Sequence, residues 1–192
     1  MCWRPWPKRK RDTALKIEMT AQTLYRDTVK AEWTDYNGHL RDAFYMLIYS
    51  LATDAFMDLI GLDEAGRNAR ERSLFTLEAH IHLLHEIKLG ADVRVDASVI
   101  GVDKKRIHLY MEMFEGDAEE PVSAFEQMLL HVDTSATPRS ATFDPDVAFR
   151  LNVMLDKTIG KAAYAGRVIA LPSALPSALP SSASRGSVTR PA

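Results

Sequence analysis

Trp33-Thr34-Asp35-Tyr36-Asn37-Gly38-His39-Leu40 stands directly before a long amphipathic segment, and the reading of that junction decides the fold. Asn-Gly is the strongest short hairpin signal. The residues after Gly38 do not read as a strand. Phe44, Leu47, Ile48, Leu51, Ala52, Ala55, Phe56 and Leu59 recur at helical spacing, with Arg41, Asp42, Ser50, Asp54 and Asp58 off that stripe. Gly61 then stops the pattern. The turn therefore leads into a helix over 40–60, of about five turns. A helix mouth presents unpaired N–H groups and a partial positive charge. A carboxylate there, Asp35, is either a cap or a base that drives water at a carbonyl while the amides hold the oxyanion.

Outward from the helix the period changes to that of strands. Tyr25, Val29, Ala31 and Trp33 suggest a first strand at about 23–33. After a polar, loop-like stretch over 61–72, residues 73–85 alternate strictly. Phe75, Leu77, Ala79, Ile81 and Leu83 fall on one face, Thr76, Glu78, His80 and His82 on the other. Val93 to Val99, Ile107 to Met113 and Val122 to Val132 mark three more strands, with Val122, Ala124, Met128, Leu130 and Val132 as the apolar face of the last. Glu126 interrupts that face and calls for a bulge or a buried polar contact. Asp144-Pro145 opens a final short helix. Short connections favour antiparallel neighbours, so the expected class is α+β: an antiparallel sheet of about five strands wrapped around one long central helix.

The 192-residue chain is 46% hydrophobic with a net charge of -2, which suits one globular domain and gives no general cause for nucleic-acid binding. It contains no apolar run of membrane-spanning length. Its lone cysteine, Cys2, excludes an internal disulfide and fits a reducing, cytoplasmic compartment. Residues 1–19 read as an irregular basic leader, 20–160 as the domain, and 161–192 as a Pro/Ala/Ser-rich low-complexity tail.

Asp35-x-x-Gly38-His39 before the central helix, the strand Phe75-Thr76-Leu77-Glu78-Ala79-His80, the turn Lys88-Leu89-Gly90-Ala91-Asp92 and Leu130-His131-Val132-Asp133 together resemble hotdog-fold acyl-CoA thioesterases of the 4-hydroxybenzoyl-CoA type. The likeness covers roughly residues 22 to 135. Within that family it is closest to the betainyl-CoA thioesterases of carnitine breakdown. The resemblance implies that Asp35 is the catalytic carboxylate, as general base or nucleophile. It implies that amides around Arg41 and Asp42 polarise the thioester oxygen, and that no metal or other cofactor is needed. It also implies an acyl-CoA substrate and a homodimer or homotetramer with shared sites. The chain departs from the family where two asparagines often come after Gly-His-Leu. Arg41 and Asp42 stand there, which sets an anion beside the developing oxyanion.

Further residues are candidates on chemical grounds. Lys104, Lys105 and Arg106 are either a solvated hairpin tip or a cluster for the phosphates of coenzyme A. Trp33 and Tyr36 flank Asp35 and offer aromatic faces to a quaternary ammonium. Glu78 reads as a salt-bridged surface group or as a neighbour of a partner's site. His80, His82 and His85 read as a polar strand face rather than a metal site. His39 is the base that a hydratase or dehydratase on this fold would use. Such an enzyme and a non-catalytic acyl-CoA binder are the alternative functions.

Overall fold

In a computed structural model, residues 22–155 and 162–169 are described. The order is β1 (Gln22–Thr28), a 3-10 turn (Ala31–Trp33), α1 (Asp42–Leu59), α2 (Glu64–Arg70), β2 (Arg72–Leu83), β3 (Asp92–Val102), β4 (Arg106–Glu115), β5 (Ser123–Asp133), β6 (Arg139–Ser140) and α3 (Pro145–Met154). The sheet runs β1-β3-β4-β5-β2, with β6 on β5, and every pairing is antiparallel. The α+β hotdog architecture is as the sequence indicates: one curled sheet around one long helix.

Several details differ from the sequence reading. β1 is shorter than expected and gives way to the 3-10 turn. The stretch expected as loop holds α2, which Asp63 caps through Gly66 N at 2.8 Å. β2 and β3 are consecutive in sequence but not adjacent in the sheet. β2 pairs with β5, so residues 84–91 cross the end of the sheet to reach β3 beside β1.

α1 lies on the inner face of the sheet and buries Tyr45, Ile48, Tyr49, Ala52, Phe56 and Met57. Leu47 and Leu59, which share the sequence stripe, are exposed. Two tyrosines take the inward places because their hydroxyls find partners. Tyr49 OH donates to Ser123 Oγ at 2.9 Å and Tyr45 OH to His85 O at 3.2 Å. Tyr49 also stacks on Phe125, with centroids 4.6 Å apart. The strands answer with Val93, Val95, Val99, Ile107, Leu109, Met111, Met113 and Leu129, all nearly or fully buried.

The faces of β5 are opposite to those expected. Phe125, Gln127 and Leu129 face α1, and Gln127 is satisfied there by donating to Thr53 Oγ1 at 2.7 Å. Glu126 therefore belongs to the outer face. It makes the buried polar contact foreseen for it, with no register shift between β4 and β5. In β2 a shift between Thr76 and Glu78 leaves Leu77 unpaired. That bulge breaks the alternation, so Phe75, opposite Leu130, shares the outer face with Glu78, His80 and His82.

Residues 162–169 lie across this outer face. Ala162 packs with Tyr110 and Ala124, Tyr164 tilts against His82, and Gly166 N donates to Glu126 Oε1 at 2.8 Å. His108 Nε2 holds the other Glu126 oxygen at 2.8 Å. These residues lie beyond the domain end expected at 160. The leader, residues 1–19, falls outside the described residues, as does most of the tail.

The two sheet edges differ. β1 is short, broken by a register shift between Thr23 and Tyr25, and carries Arg26 and Asp27. β2 is 12 residues long and bears Phe75, Leu77, Ile81 and Leu83, all more than a third exposed. Among the described residues no single helix is long and apolar enough to cross a membrane.

Candidate active site

The loop before α1 folds on its own aspartate. Asp35 N donates to His39 O at 2.9 Å and Gly38 N to Asp35 O at 3.0 Å. The Asp35 side chain closes the turn, with Oδ1 accepting from Asn37 N at 2.8 Å and His39 N at 3.0 Å. Gly38 has φ 76°, a left-handed conformation that glycine adopts without cost. The loop is then clamped to the 84–91 crossover by Leu40 N to Ile87 O at 2.8 Å and Leu89 N to Gly38 O at 3.0 Å. Arg41 N reaches Trp33 O at 3.0 Å, which fixes the entry into the helix.

This geometry sets the protonation of Asp35. The His39 amide, helped by that of Asn37 and by the charge of Arg41, holds the carboxyl below its ordinary value of 3.8 despite partial desolvation. The group is ionised at neutral pH. Oδ1 is engaged by two amides, and among the described residues no hydrogen bond is made to Oδ2.

The helix opens at the other arm of this turn, seven residues after Asp35. Asp42 opens α1, so its N–H has no carbonyl one turn back. The Ala43 amide is held by the Asp42 carboxylate at 2.8 Å. Arg41 Nε donates to Thr34 O at 2.8 Å, so its guanidinium points back over the Asp35 loop rather than at Asp42.

Of the residues singled out in the sequence, Trp33, Asp35, Tyr36, His39, Arg41 and Asp42 share this one loop. Trp33 is buried, stacks on Phe44 at 5.9 Å, and has Lys30 Nζ 4.4 Å from its ring centre. Tyr36 is 94% exposed at the loop tip. His39 Nε2 faces Glu86 Oε2 at 3.4 Å. Glu78 is mid-strand on the outer face near His80, away from this loop. Lys104, Lys105 and Arg106 form the β3–β4 turn, at the far end of the 11-residue β3 and roughly 30 Å from the Asp35 loop in the same chain. There Asp103 receives the Lys105 and Arg106 amides and the Arg106 guanidinium, while Lys105 Nζ reaches Ser140 Oγ at 3.1 Å. Sequence reasoning missed Lys30 and Glu86. Neither has a motif, since each is placed by tertiary packing of a segment whose own pattern is ordinary.

An antiparallel sheet curled on one long helix is the hotdog fold, and the ionised Asp35 lies in the loop that leads into that helix. Residues 29–151 match the family described as the thioesterase-like superfamily, and the chain belongs to it. It is 45% identical over 152 residues to the betainyl-CoA thioesterase of Pseudomonas aeruginosa, covering 78% of this chain and 95% of that one. A two-function protein of Agrobacterium fabrum, L-carnitine dehydrogenase/betainyl-CoA thioesterase, is 42% identical over 113 residues, which cover 59% of this chain and 23% of that one. Among solved structures, a Staphylococcus aureus protein in complex with CoA superposes with a TM-score of 0.72 at 30% identity, covering 80% of this chain and 98% of that one.

Proposed function

We propose that this thioesterase hydrolyses an acyl-CoA with a short polar acyl group, betainyl-CoA first, to the free acid and coenzyme A. The observation that carries the reading is the Asp35 carboxylate, ionised and pinned through Oδ1 in the loop that leads into α1. Water attacks the thioester carbon as Asp35 takes its proton. The oxyanion is held at the helix mouth, the C–S bond then breaks, and the departing sulfur receives the proton. The likeness to the P. aeruginosa enzyme over nearly its whole length supports the acyl group.

A second copy of the chain belongs in this reading. β2 offers a long apolar edge whose backbone groups need a partner. Antiparallel pairing of β2 with its copy brings the far end of one sheet to the near end of the other. The Lys104–Arg106 turn of one copy then lies toward the Asp35 loop of the other, where the coenzyme A phosphates would meet it. The cytoplasm is the compartment that suits a coenzyme A substrate and a single cysteine.

The test is thiol release from betainyl-CoA by Asp35→Asn. The substitution keeps size and turn-forming capacity but removes the proton acceptor. The expected result is a fall in kcat of about 10²–10⁴-fold with little change in KM. Wild-type kcat in the variant would refute the mechanism, since asparagine serves equally well in a capping role.

A further inference from the structure

The sequence offered aromatic faces for a cationic acyl group, but the structure has already used the larger one. Trp33 is 6% exposed, stacked on Phe44, with the Lys30 ammonium over its ring. A substrate ammonium meeting that ring would have to displace Lys30, which is also paired to Asp27 at 3.0 Å. Asp42 is different. It is exposed, it opens α1, and its carboxylate sits on the Ala43 amide at the helix mouth. No ion pair among the described residues engages it, and the neighbouring Arg41 guanidinium is turned to Thr34 O.

Resting on the betainyl reading above, we infer that Asp42 is the counter-charge for the substrate ammonium and thereby a determinant of specificity. The chemistry of the acyl group supports this. In a betainyl thioester a single methylene separates the quaternary nitrogen from the carbonyl carbon. Any group that lines the oxyanion position therefore also lies close to the cation. A carboxylate there opposes the developing negative charge of a neutral substrate. With a cationic substrate the same carboxylate is attracted to the ammonium, and the two charges offset near the transition state. The carboxylate at 42, unfavourable for thioester hydrolysis in general, becomes favourable for this one class.

The test compares betainyl-CoA with its neutral carbon isostere, 3,3-dimethylbutanoyl-CoA, in the wild type, Asp42→Asn and Asp42→Glu. The quantity read is the ratio of the two kcat/KM values, which is independent of the fraction of active protein. The wild type should prefer the cation, Asp42→Asn should lower that preference by about tenfold or more, and Asp42→Glu should restore most of it. Raising ionic strength should weaken the wild-type preference and leave that of Asp42→Asn unchanged. Equal loss on both substrates in Asp42→Asn would overturn the inference, because it would show only a part in helix geometry or oxyanion binding. If the wild type shows no preference, the cationic reading of the acyl group fails together with the inference. If it hydrolyses neither ester, the proposed function itself fails.

Discussion

Two backbone amides on one oxygen of Asp35 do more than orient it. They stabilise the charged form, so the group stays ionised well into acid. The acid limb of kcat/KM reports the free enzyme's base. For Asp35 the midpoint of that limb should therefore lie below pH 3.8, the ordinary value for an aspartate. A pH–rate profile on protein verified as folded at each pH checks this, and a limb centred near pH 6 would point to a histidine instead. Tyr36 poses a separate question at this scale. A tyrosine 94% exposed beside Asp35 covers nothing among the described residues. If Tyr36 meets substrate or a second copy, Tyr36→Ala should leave stability within about 0.5 kcal/mol of wild type while raising KM.

The elements were legible wherever burial is one-sided and illegible wherever polar groups are buried. The Asp35 turn, α1 and the strand order along the chain follow from periodicity. The inward faces of α1 and β5 do not, because Tyr45, Tyr49, Ser123 and Gln127 enter the core with polar partners that lie far off in the sequence, His85 O, each other and Thr53 Oγ1. Nor does the bulge at Leu77, since alternation in a sequence has no mark for one extra residue. The candidate site was legible as a loop but not as a surface, for Lys30 and Glu86 reach it through tertiary packing. The cross-element bonds can be measured. Tyr49→Phe keeps the stack on Phe125 but strands Ser123 Oγ, and should cost about 1–3 kcal/mol in urea unfolding with kcat retained. Between α2 and α3, Arg70 grips both oxygens of Asp146 at 2.8 Å and lowers its pKa from 3.8 to about 2. The folded value is depressed, so this stability is present above pH 3.8 and is lost as pH falls toward 2. The pair is substantially exposed, so Arg70→Met should cost about 0.2–1 kcal/mol at pH 7, with the difference from wild type shrinking near pH 2.

At the scale of the whole molecule, the outer-face segment extends the packed structure past the expected end at 160. A chain lacking residues 170–192 should unfold at the wild-type midpoint. One lacking residues 162–192 should lose about 1–3 kcal/mol, since Glu126 then forfeits the Gly166 amide and Tyr110 its cover. The apolar edge predicts assembly. Leu77→Lys should convert a dimer into a monomer by light scattering and abolish activity with it, whereas a wild-type monomer at micromolar concentration would remove β2 as an interface. The inequality of the two edges carries a consequence for what cannot form. A sheet with two adhesive borders has a valence of two and polymerises into a fibre. The β1 border, short, kinked and charged, disfavours a further strand, so a molecule that pairs through β2 would have a valence of one. Growth along the sheet would then stop at the first union, and a larger assembly would be built by stacking faces instead of extending the ribbon.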